Sequence, residues 1–88
     1  MRLTPLIALL LGSLGMADEP RWIIGSANSD IANGARALLG GRNEVGIRLT
    51  LKGLENANNE EQEEVALSNL CAGYTNMGDY DTALRYCD

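Results

Sequence analysis

From residue 60 onward the apolar side chains keep the period of an α-helix. Leu67, Leu70, Cys71, Tyr74 and Met77 follow one another at steps of three and four, a continuous stripe along about five turns of the segment that opens at Glu60. In front of the stripe, Glu60-Glu61-Gln62-Glu63-Glu64 sets carboxylates at the positive end of a helix dipole, and Asn59 can cap it with Gln62 three residues on. Gly78 ends the stripe. Asp79-Tyr80-Asp81 then supplies a turn and a new acidic start, after which Ala83, Leu84 and Cys87 open a second stripe at helical spacing. The pattern predicts a helical hairpin.

The preceding stretch has a weaker version of the same layout. Ser29 or Asp30 can cap a helix with apolar positions at Ile31, Ala35, Leu38 and Leu39, and Gly40-Gly41 is its stop signal. A further helix runs from Glu44, with either Val45, Leu49 and Lys52-Gly53 or Ile47, Leu51 and Leu54 lining its buried face, until the pattern is lost at Asn56-Ala57-Asn58-Asn59. Both prolines, Pro5 and Pro20, precede this region, so nothing from Arg21 onward carries the residue that breaks helices. Gly46 and Gly53 lie inside the predicted helix, where glycine costs about 1 kcal/mol against alanine. Close approach of helices would account for them.

Sliding the chain against itself by 37 places brings residues 41–49 onto residues 78–86, matching glycine, small, aliphatic and arginine positions in order, and brings Gly34 onto Cys71. Helix, turn and helix repeated at a spacing in the thirties is the mark of a solenoid whose units cannot bury a face alone. The residues of the second unit then carry a resemblance. Leu67-x-x-Leu70-Cys71-x-x-Tyr74, Gly78-Asp79-Tyr80 and Ala83-x-x-x-Cys87 resemble the tetratricopeptide repeat, with Leu67 where that family most often has tryptophan, Cys71 at a small position and Cys87 at an aromatic one. The resemblance covers roughly residues 27–88 and is degenerate in the first unit, where Asp30 and Ala37 fill the bulky and aromatic anchor positions.

The resemblance implies an all-α fold of antiparallel helix-turn-helix hairpins stacked as a short solenoid. Residues 18–26 would be an apolar lead-in, 27–63 a degenerate unit and 64–88 a second unit left incomplete at Asp88. Gly34, Gly41, Gly46 and Gly53 would be contact points between packed helices, with Leu67, Leu70, Cys71, Tyr74, Gly78, Tyr80, Ala83 and Cys87 the packing positions of the second unit. Arrays of this kind generally need about three units, so the chain is expected to be a truncated product, or else to complete its core by pairing. The family receives peptides in a groove lined by the first helix of each unit, which here implies Ser68, Ala72, Thr75 and Asn76. Asn69 and Asn76 could hydrogen-bond an extended backbone there. No basic residue lies between Gly53 and Leu84, so the family's carboxylate grip is not expected.

Cys71 and Cys87 are the only cysteines. The resemblance brings them onto facing helices, where a bridge would stabilise by roughly 3 kcal/mol. A bridge also needs Cα atoms within about 7 Å, less than the usual separation of helix axes of about 8–10 Å. Two buried free thiols are the expectation, with the bridge as the alternative.

The N-terminus reads as an address. Met1-Arg2, an uncharged leucine-rich stretch from Leu3 and the exit Gly15-Met16-Ala17 have the layout of a secretory signal peptide over residues 1–17, with no membrane span left after cleavage. The stretch is too short and too interrupted by Pro5, Gly12, Ser13 and Gly15 for a spanning helix. A periplasmic or secreted location follows. Trp22-Ile23-Ile24, just beyond, is expected to pack on the first helix pair as a cap.

Composition narrows the function. In 88 residues there are 7 Lys+Arg against 12 Asp+Glu, a formal net charge of −5, and the basic residues are scattered singly, so nucleic acid is not an expected partner. Histidine is absent, which removes the commonest general base and metal ligand and leaves Ser26, Ser29 and Ser68 with no base to activate them. The acidic run at 60–64 lacks the alternation and glycine of a calcium loop and reads as a solvated helix start. The sequence therefore predicts a non-catalytic, cofactor-free scaffold that binds a protein or peptide. The second reading is a secreted structural subunit that completes its helical core by self-association.

Overall fold

The computed structural model describes residues 23–87, all-α with no strand among them, as four helices: α1 (Ser29–Leu39), α2 (Asn43–Glu55), α3 (Glu60–Asn76) and α4 (Tyr80–Tyr86). The signal-peptide reading of residues 1–17 and Trp22 lie outside the described residues. Asn28 caps α1 in place of Ser29 or Asp30. Its backbone is extended (φ −72°, ψ 117°), and its Oδ1 accepts from the N–H groups of Asp30 and Ile31 at 3.0 and 3.1 Å, so the chain is already helical at Ser29. At α3 the Asn59 side chain accepts from Gln62 N–H at 2.8 Å, while Gln62 Oε1 reaches back to Asn58 N–H at 2.9 Å, one residue earlier than a capping box. The expected unit boundary at 63/64 therefore falls inside α3, and the break between helix pairs is the loop of residues 56–59.

The 37-residue correspondence recurs in the turns. Gly41 (φ 84°) and Gly78 (φ 81°) are left-handed, and each donates to the carbonyl three residues back, Leu38 at 3.1 Å and Thr75 at 2.9 Å. The next residues, Arg42 and Asp79, donate to the Ala37 and Tyr74 carbonyls at 2.8 and 2.9 Å, which completes the same six-to-one closure in both places. Open space surrounds the Cβ positions of both glycines. Gly41 and Gly78 serve the turn, not the helix contact expected of them, because only glycine takes this backbone conformation without strain. The second helices start at Asn43 and Tyr80, again 37 residues apart.

The contact glycines are Gly34, Gly46 and Gly53. A Cβ on Gly53 would lie 2.9 Å from the Ile31 backbone nitrogen and closer still to Ile31 Cγ1, and one on Gly46 would lie 2.6 Å from Leu38 Cγ. On Gly34 it would fall 3.0 Å from the Gly46 carbonyl oxygen and closer to Thr50 Oγ1. The facing pairs are thus 31 with 53, 34 with 50 and 38 with 46: stepping up α1 steps down α2, so the two helices are antiparallel with their backbones pressed together. Thr50, fully buried in this seam, donates its hydroxyl to the Gly46 carbonyl at 2.7 Å and so leaves no orphan in the contact.

Ile23, Ala35, Leu38, Ile47, Leu70 and Ala72 form the core, with Leu51, Leu54, Tyr74 and Tyr86 packed against it. Of the two faces open to α2, Ile47, Leu51 and Leu54 is therefore the one used. The helix α3 packs on α2, α4 and, more lightly, α1. Gly73, which the sequence reading passed over, lets α3 approach: a Cβ there would meet Ile47 Cγ1 at 2.8 Å. Leu39 and Met77 are exposed, since they lie at the ends of α1 and α3 beyond the packed turns. Tyr80, expected among the packing positions, and Leu84, expected in the second apolar stripe, are exposed too; Ala83 is the residue by which α4 is buried.

Gly53→Ala is expected to lower unfolding free energy by about 1–3 kcal/mol despite alanine's better helix propensity, because the methyl overpacks against the Ile31 backbone. Gly25→Ala, with nothing within 4 Å, is the matched control and should change little; urea denaturation of the two variants checks the pair.

Candidate functional site

Asn69 sits on the buried face that Ala66, Leu70 and Gly73 give α3, and it is 0% exposed. Its Nδ2 donates to the Ile24 carbonyl at 2.9 Å, and its Oδ1 accepts from the Ile24 N–H at 2.8 Å. One primary amide thereby satisfies both backbone groups of a residue 45 positions away. Such a pair reads backbone conformation and no side chain, and losing it would leave a buried amide costing about 1–3 kcal/mol. At the clamp Ile23 joins the core and Ile24 is exposed. Ile23 thus belongs to a core to which α1, α2 and α3 all contribute.

The five residues expected to line a groove do not share one surface. Asn69 and Ala72 are buried, Ser68 and Thr75 are half-buried, and Asn76 is exposed, its amide 3.4 Å from Asn43 Oδ1. The expectation of Asn69 and Ala72 as groove walls is corrected because α3 turns that face onto the body of the molecule. Asn69 hydrogen-bonds backbone, and it is that of the chain's own Ile24.

The cysteines are bonded. Cys71 and Cys87 form a disulfide with Cα atoms 4.8 Å apart, and both are half-exposed, so buried free thiols are not what the structure contains. The distance argument fails because it compares helix axes: Cα atoms lie about 2.3 Å off an axis, so two that face each other between helices about 8–10 Å apart come within bridging range, and the Cys87 N–H still bonds the Ala83 carbonyl as in a helix. The bridge occupies the place that the contact between Gly34 and Thr50 has in the first pair, each cysteine being 37 residues from its counterpart. Beside it, an open cleft of roughly 350 Å³ is lined by Glu64, Leu67, Ser68, Cys71, Tyr86 and Cys87. Leu67 is a wall of this cleft more than a packing residue. Tyr74 and Tyr86 stack with ring centroids 5.6 Å apart. Burial, with Tyr86 and Asp79 behind it, raises the Tyr74 phenol above its ordinary value, so the Tyr74 hydroxyl keeps its proton at physiological pH.

Among the described residues no three histidine, cysteine or acidic side chains converge as a metal site would require, and no helix is long and apolar enough to cross a membrane. What the arrangement does chemically is hold backbone. The sequence reading passed over Asn28 and Thr50, whose side chains satisfy the α1–α2 seam; the signal at Thr50 is a polar residue placed between Gly46 and Gly53 at helical spacing.

The molecule is an all-α protein of two helix pairs in which the non-helical segment before α1 is fastened to the first helix of the second pair. Comparison with models of known protein families, with curated proteins and with solved structures finds nothing that matches this chain.

Asn69→Ala should lower stability by about 1–3 kcal/mol and free the Ile24 amide to exchange at the rate of an unstructured chain, measured by hydrogen exchange. Reduction of the Cys71–Cys87 bridge should cost about 3 kcal/mol, read as a lower thermal midpoint in reductant and absent from a Cys71→Ser/Cys87→Ser variant.

Proposed function

We propose that the chain is a non-catalytic protein–protein interaction scaffold, exported to the periplasm or the cell exterior. In this reading the two helix pairs are a short tetratricopeptide-like solenoid that grips an extended peptide or protein segment. The observation that carries it is the pairing of the Asn69 amide with the N–H and C=O of Ile24, since a clamp on backbone alone suits any extended occupant. Ile24 is the occupant in cis, and Ile23 beside it fills the apolar seat that an aliphatic residue of a partner would take.

Support for the repeat comes from the two glycine turns, the two second-helix starts and the two seam contacts, all offset by the same 37 residues. Export is supported by the layout of residues 1–17 and by a disulfide that suits an oxidising compartment. A chain without histidine and with a net charge of −5 is poorly equipped for general acid–base catalysis or for phosphate backbones.

The test uses a chain carrying Ile23→Ser, which loosens the cis segment, and an unlabelled peptide with the sequence of residues 21–27. The peptide should shift the Asn69 side-chain amide resonances saturably, and adding Asn69→Ala should abolish the effect. Absence of a saturable shift, or binding indifferent to Asn69→Ala, contradicts the proposal.

A further inference from the structure

The 37-residue correspondence gives each residue of α4 and its cap a counterpart in α2: Tyr80 corresponds to Asn43, Leu84 to Ile47 and the cap Cys87 to Thr50. In the first pair this face is covered. Ile47 is 7% exposed, with its Cγ1 and Cδ1 lying where a Cβ on Gly73 of α3 would meet them, and Asn43 accepts from the Asn76 amide of the same helix. In the second pair the face is open among the described residues. Leu84 is 71% exposed and Tyr80 64%, four residues apart on one side of α4. The same register that closes one layer with a helix leaves the next layer open.

We propose that the Tyr80–Leu84 face of α4 is a docking surface for an α-helix of another polypeptide, one that sets a glycine or alanine against Leu84 as α3 sets Gly73 against Ile47. The occupant follows from continuity with the α2–α3 interface: a helix, because a helix fills the equivalent layer, and a small residue, because Gly73 is what admits Ile47 there. A second copy of this chain fits poorly. The element it would stack on α4 is α1, the counterpart of α3, and the residue 37 positions before Gly73 is Arg36, exposed, charged and too long for backbone approach. Charge adds a second condition. Asp79 and Asp81 flank the face on a chain of net charge −5, so the docking helix is neutral or basic along that edge. The surface uses none of the residues of the Asn69 clamp, and it stands or falls independently of that site.

The probe is a 17-residue synthetic peptide with the sequence of α3 and Cys71→Ala, titrated at up to millimolar concentration into the full, oxidised, isotope-labelled chain. Shift changes are expected at the Leu84 methyls and the Tyr80 ring. Leu84→Asp in the chain should weaken binding by roughly tenfold or more while leaving the thermal midpoint in place, since Leu84 is exposed. The same peptide with Gly73→Ile should lose affinity to a similar degree. Shifts confined to other surfaces, no saturable binding, equal binding by the Leu84→Asp chain, or sedimentation showing a dimer that Leu84→Asp dissolves would each overturn the proposal.

Discussion

The structure depends on the contact of two helix backbones across glycines. Gly34, Gly46 and Gly53 remove the side chains that would hold α1 and α2 apart, and Ile31, Leu38 and Thr50 fill the space so vacated. Glycine inside a helix costs about 1 kcal/mol of propensity each time, and the close approach offsets that cost through dispersion contacts and burial of Ile31 and Leu38. Everything downstream uses this seam. It fixes the face of α2 that meets α3, and through Ile47 and Gly73 it sets how near α3 can come.

The second pair repeats the geometry with different chemistry. Where Gly34 meets Thr50 by van der Waals contact, Cys71 meets Cys87 by a covalent bond. The difference has a physical basis, since α4 has seven residues and buries Ala83 alone among them, too little apolar area to hold a helix in place. The bridge and the stacked Tyr74 and Tyr86 rings fasten it instead. The non-helical segment at Ile23–Ile24 supplies one aliphatic side chain to the core and two backbone groups to Asn69 on α3.

Much of this was legible in the sequence because the signals were local. Asn59 with Gln62 marks the start of α3, Gly78 marks its end, and the costly glycines of α2 point to close packing; each rests on backbone chemistry that operates over one turn. What was not legible depended on which neighbours cover which face. Apolar or small residues run almost all the way round α3, from Val65 and Ala66 through Gly73 and Tyr74, because it is packed by helices on more than one side. Its stripe therefore does not reveal that Asn69 and Ala72 face inward, nor that Leu67 lines an open cleft. The bridge was missed for another reason: the separation of two helix axes says little about side chains that face each other, and Cys71 and Cys87 do, with Cα atoms 4.8 Å apart.

Nuclear Overhauser contacts across the first seam test the central claim most directly. In the oxidised chain, the Gly53 Hα protons should show strong cross-peaks to the Ile31 side chain, and the Gly34 Hα protons to Thr50. A spectrum with all four helices present and these cross-peaks absent would mean that α1 and α2 do not press together at their glycines, and the register on which both helix pairs rest would be wrong.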